Sequence, residues 1–101
     1  MPFLHAIINK EYFYATTTTG KLFEFKNQAW KQELVKDSLK IKMITSNISK
    51  NEIFALNETN ECYRKINLSD WKLLPNKNVS SVKKRNNEVY LVIQNRIEKI
   101  N

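Results

Sequence analysis

Glycine occurs once in these 101 residues and proline twice, too few for a flexible linker, a collagen-like repeat or a proline-rich recognition segment. Cysteine also occurs once, at Cys62, and histidine once, at His5. A lone thiol excludes an intramolecular disulfide, and one Cys with one His cannot assemble a Cys/His zinc cluster; neither a metal nor a cofactor is expected. No stretch approaches the roughly 18 apolar residues of a membrane-spanning helix. The segment from Met1 to Lys10 has a short apolar run but no basic n-region, and His5 interrupts it, so it reads as a first strand and not as a secretion signal. These absences lead to the expectation of a soluble cytoplasmic protein without a membrane partner. N-glycosylation tripeptides begin at Asn47, Asn57, Asn67 and Asn78, but a chain with 13 asparagines and many Ser and Thr produces them by chance.

Enzyme signatures are missing as well. There is no glycine-rich phosphate loop, no Gly-x-Ser-x-Gly elbow and no His-Glu-x-x-His helix. A nucleophile–histidine mechanism would have to recruit His5, which reads as a partly buried strand residue without a local partner. Cys62 reads as a core residue, and Glu24, Glu33, Glu58 and Glu61 as solvated strand-face charges. The expectation is a non-enzymatic protein.

What is present is a repeat. Tyr14-Ala15-Thr16-Thr17-Thr18-Thr19-Gly20-Lys21-Leu22-Phe23 aligns with Phe54-Ala55-Leu56-Asn57-Glu58-Thr59-Asn60-Glu61-Cys62-Tyr63 at an offset of 40, and one inserted residue places Trp71 at an offset of 41 from Trp30. A third, partial copy runs from Glu88-Val89-Tyr90-Leu91-Val92 to Glu98-Lys99-Ile100-Asn101, with Lys65-Ile66-Asn67 reappearing as Lys99-Ile100-Asn101. The units are approximately 1–38, 39–78 and 79–101, within a single domain. With 42% hydrophobic and 11% aromatic residues the chain is globular. Repeats of this length bury their apolar faces against their neighbours.

Within a unit the apolar residues alternate or form short bounded runs, the periodicity of strands. Tyr12-Phe13-Tyr14-Ala15-Thr16-Thr17 and Lys21-Leu22-Phe23-Glu24-Phe25 flank a turn at 18–20, a hairpin. Gly20 aligns with Asn60, and both residue types accept positive φ, so one turn backbone is expected in both units. A tryptophan strand follows each hairpin, Ala29-Trp30-Lys31-Gln32-Glu33-Leu34 or Asp70-Trp71-Lys72-Leu73-Leu74-Pro75. The fold class predicted is therefore all-β, antiparallel four-stranded blade-like repeats forming a partial β-propeller, with a β-sandwich or small barrel as the alternative.

The order of an apolar-aromatic strand (Ile53-Phe54-Ala55-Leu56), a turn (Asn60), an aromatic strand (Cys62-Tyr63-Arg64), a tryptophan strand (Trp71 to Pro75) and an apolar step into the next unit (Val79-Ser80-Ser81-Val82) resembles the tectonin family of β-propellers. One departure is the near absence of the glycines that family blades carry around their turns. The resemblance implies a lectin-like binding protein, with Trp30 and Trp71 stacking on a carbohydrate in an inter-blade cleft and Arg64 or Glu24 beside the ring to bond hydroxyls. The residues themselves allow a second reading, in which both tryptophans fill the space between neighbouring blades.

Charge supplies the competing functional reading. The net charge is +7, and its density is highest in 79–101, where five basic residues face two acidic ones, a net +3. Lys83, Lys84 and Arg85, with Arg96 and Lys99, are candidates for a patch that binds nucleic acid or another polyanion. A scaffold or inhibitor acting on a macromolecule through this face is the alternative to the lectin-like function. Two full blades and part of a third cannot close a ring, so a homo-oligomer is expected, a dimer before a trimer.

Overall fold

Strand periodicity governs the whole chain. The computed structural model describes residues 3–8, 12–36, 40–67 and 69–100, and folds them into three separate antiparallel sheets. The first contains β1 (Phe3–Ile8), β2 (Phe13–Thr17), β3 (Leu22–Lys26) and β4 (Ala29–Glu33), in that spatial order. The second repeats the meander with β5 (Ile41–Asn47), β6 (Glu52–Asn57), β7 (Cys62–Ile66) and β8 (Trp71–Leu73). Among the described residues the third has three strands, β9 (Val79–Arg85), β10 (Glu88–Ile93) and β11 (Arg96–Lys99). A 3-10 turn, Ile48–Lys50, links β5 to β6. The all-β expectation holds. Of the first strand expected over 1–10, Met1, Pro2, Asn9 and Lys10 lie outside the described residues.

Register shows how closely the sheets match. Phe3 stands opposite Thr17, Ile41 opposite Asn57 and Val79 opposite Ile93, and in each sheet the pairing shifts one residue further along, an extra residue in the first strand. The 18–20 and 58–60 turns are also built alike. Thr17 N–H donates to the Lys21 carbonyl and Gly20 N–H to that of Thr17; Asn57 N–H donates to Glu61 and Asn60 N–H to Asn57. A polar side chain closes each turn, the Thr17 hydroxyl accepting from Lys21 N–H at 3.1 Å and Asn57 Oδ1 from Glu61 N–H at 2.9 Å. Gly20 has φ 86° and Asn60 φ 66°, so the aligned pair does share a left-handed backbone. Each then offers its carbonyl to the next sheet: Ile41 N–H donates to Gly20 at 2.8 Å and Val79 N–H to Asn60 at 3.0 Å.

The third sheet corrects the sequence alignment. Its turn is shortened to residues 94–95, between Ile93 and Arg96. Lys99 consequently stands opposite Tyr90 as Arg64 stands opposite Phe54. Lys99 therefore corresponds to Arg64 and not to Lys65, and a slip of one residue moves a strand side chain to the other face. The ion pairs agree, Arg64 with Glu52 and Lys99 with Glu88. Asn101 lies outside the described residues.

Two cores lie between the sheets. Tyr12, Tyr14 and Leu22 of the first sheet pack with Ile41, Ile44, Ile53 and Ala55 of the second. Phe54, Leu56 and Cys62 on the other face of the second sheet pack with Val79, Val82, Val89, Leu91 and Ile93 of the third. The middle sheet is thus covered on both faces, which is why every residue of β6 is buried. Each large apolar side chain so buried contributes roughly 1.5–3 kcal/mol.

Candidate functional site

The tryptophan strands place Trp30 and Trp71 equivalently, opposite Phe25 and Lys65, Trp71 on the face that the second sheet turns toward the first and Trp30 on the matching face of the first sheet. For Trp71 the preceding sheet is there. Its indole Nε1 donates to Glu33 Oε1 at 2.9 Å. The same carboxylate pairs with Lys65 Nζ, which also bonds the Tyr14 hydroxyl at 3.1 Å and lies 5.5 Å from the Trp71 ring centre and 5.6 Å from that of Tyr14. Burial, then the carboxylates of Glu33 and Glu24, hold the Tyr14 phenol above its ordinary range. Trp71 therefore spans a sheet interface with its polar edge satisfied, as the structural reading of the tryptophans anticipated.

Trp30 has different surroundings. Its ring lies 4.6 Å from Phe3, 5.0 Å from Phe13 and 5.0 Å from Phe25, centre to centre. These rings form an aromatic patch on the outer face of the first sheet, where Phe3 and Phe25 are exposed. Neither of the polar residues expected beside the tryptophans is there. Arg64 stands opposite Lys72, on the other face of its sheet from Trp71, where it pairs with Glu52 and lies over the Phe54 ring. Glu24 stands opposite Lys31, on the other face from Trp30. The carboxylate that does reach an indole is Glu33. Its separation of three residues from Trp30 in one strand turns it toward the next sheet, a signal that could have singled it out from the other glutamates.

The basic candidates divide by face and by end. Lys83, Tyr90 and Lys99 form one row across the outer face of the third sheet, with Arg85 opposite Glu88 beside it. Lys84, opposite Val89, points to the other face. Arg96 lies at the 94–95 turn, at the far end of β10, roughly 17 Å along the strand from Glu88, and is paired with Glu98 at 2.8 Å. Lys99 is paired with Glu88, which raises the amine's pKa and lowers that of the carboxyl. A residue not singled out in sequence joins the near end: Lys50, exposed beside β6, lowers the Glu88 carboxyl further. The Asn47 side-chain amide donates to the Asn87 carbonyl at 2.8 Å and ties these two turns together. Lys50, Lys84 and Arg85 are all exposed at this end, Lys84 on one face of the third sheet and Arg85 on the other.

Two grooves follow the repeat. One of about 360 Å³ runs between the 18–20 turn and the segment leaving β4, lined by Thr19, Gly20, Leu34 and Lys40. Its counterpart of about 470 Å³ is lined by Thr59, Asn60, Pro75 and Asn78, with Lys36 and Glu61 paired across it at 3.4 Å. Neither tryptophan lines either groove. His5, expected to be partly buried, is exposed on β1 opposite Thr16. Cys62 is fully buried, and burial pushes its thiol up to about 12. No cluster of three His, Cys, Asp or Glu able to hold a metal occurs among the described residues, and no helix there is long and apolar enough to cross a membrane. In comparisons with known proteins the chain matches no family model, no curated protein and no solved structure.

Proposed function

We propose that the three sheets are consecutive blades of a partial, tectonin-like β-propeller and that the chain is a non-enzymatic module that binds a polyanionic macromolecule. The observation that carries the binding reading is the basic end: Lys50 is exposed on the 48–50 turn and Lys84 and Arg85 at the end of β9, where the Asn47 side chain bonds the Asn87 carbonyl. The blade reading is supported by the repeated bulge, turn and sheet-to-sheet hydrogen bond. A cytoplasmic setting belongs to the same proposal. Asn47 and Asn57 are buried and use their side chains in hydrogen bonds, which leaves no room for glycans at these two sites.

Retention on heparin and duplex DNA tests the function. Binding at low salt should fall steeply as salt rises, through counterion release. Replacing Lys50, Lys84 and Arg85 with alanine should abolish it and flatten the salt dependence; retention unchanged by the triple variant would remove the basic end from consideration. The carbohydrate reading is favoured by a separate observation, the two repeat-related grooves. Glycan binding that survives both high salt and the triple alanine change would support that reading instead.

A further inference from the structure

We infer that the outer face of the third sheet docks on the outer face of the first sheet of a second copy of this chain, head to tail, and that two copies close into a six-bladed ring. The inference rests on the blade reading above, but it is carried by comparing equivalent positions within the chain. Ile41 and Val79 open the first strands of their sheets, donate to the turn of the preceding sheet, and are 6% and 0% exposed. Phe3 holds the same place in β1 and is 39% exposed. Trp71 is covered by the first sheet through Glu33 and Tyr14, whereas its equivalent, Trp30, lies with Phe13 and Phe25 on a face that no sheet of the described residues covers.

The complementary surface is at the other end of the row. On the middle sheet Phe54, Leu56 and Cys62 face the third sheet and are buried. By register their counterparts on β10 and β11 are Tyr90, Val92 and Ile97. Tyr90 and Val92 are half-buried and Ile97 is 69% exposed, against 0% for Cys62. One interface therefore occurs twice inside the chain, and the two uncovered faces are the two halves of a third. Lys83 and Lys99, beside Tyr90, suit an aromatic partner face, as Lys65 already lies over the Tyr14 and Trp71 rings. The contact is heterologous, so it ends only when a ring closes. Two copies supply six sheets, within the usual range of 4 to 8 blades, while three would supply nine.

Light scattering on the intact chain should give twice the 12.0 kDa of one copy. Ile97→Asp alters only the third-sheet face and Phe25→Asp only the first-sheet face. Each should leave a monomer with an unchanged β-type circular dichroism spectrum, weakening association at least roughly thirty-fold, as expected for a lost hot spot. Mixing the two variants leaves one intact interface and should restore a species of two chains. A monomeric parent chain, or open-ended growth, would overturn the ring. A dimer sensitive to only one of the two faces would show an isologous contact and overturn it too. Loss of polyanion retention from an intact dimer would count against the proposed function alone.

Discussion

At single positions, backbone conformation decides more than side-chain size. A left-handed residue needs either no Cβ or a short side chain able to bond its own backbone, and among the described residues Asn27, Asn51, Asn60, Asn67, Asn78 and Asn86 take that role, with Gln28 and Gln94. The abundance of asparagine, read from sequence as a source of chance glycosylation tripeptides, thus answers the scarcity of glycine. Gly20 is the position where asparagine would not serve as well. At φ 86°, an added Cβ would lie 2.4 Å from Lys40 Cβ, on the chain that docks the second sheet through Ile41. Gly20→Val should cost at least about 2 kcal/mol through strain and this close contact. Asn60→Gly, at the equivalent site, should stay within about 0.5 kcal/mol because glycine accepts the same backbone. Urea unfolding of the two variants checks the asymmetry; equal losses would contradict it.

Among elements, strand order and pairing were legible, and the facing of particular side chains was less so. The two hairpins and tryptophan strands emerged from alternation alone because strand side chains have a period of two. The third unit misled because its turn is shorter, and no alternation marks a slip of one residue when both faces carry mixed residues, as Lys99 and Ile100 do. The site candidates suffered from the same limit. The lectin-like resemblance sets Arg64 or Glu24 beside a tryptophan ring, yet pairing puts each on the opposite face, while Glu33 reads from sequence as a solvated charge. Glu33 is instead the acceptor that joins β4 to Lys65 and Trp71 across the sheet interface. Glu33→Gln keeps an acceptor for the indole but strands a largely buried ammonium, and should cost about 2–3 kcal/mol. Combining it with Lys65→Met should recover most of that loss, since the methionine removes the buried ammonium left without its counter-charge. Additive losses in the denaturant midpoints would show that the pair is not energetically coupled.

In the whole molecule, stability passes from sheet to sheet, because among the described residues each of the two cores packs an outer sheet against the second. The arrangement leaves apolar side chains exposed on the outermost faces, Phe3 and Phe25 at one end and Ile97 at the other. If a second copy covers them, folding and association are linked, and unfolding becomes a reaction of one dimer to two chains. Each tenfold rise in protein concentration should then stabilise the dimer by about 1.4 kcal/mol, moving the urea midpoint upward in regular steps. The Ile97→Asp variant, with its third-sheet face closed to docking, should unfold at a midpoint independent of concentration and no higher than that of the parent chain at its most dilute. A parent midpoint that stays constant over about a hundredfold range of concentration would mean that the outer faces remain in water, and that two interior interfaces are enough to hold three sheets together.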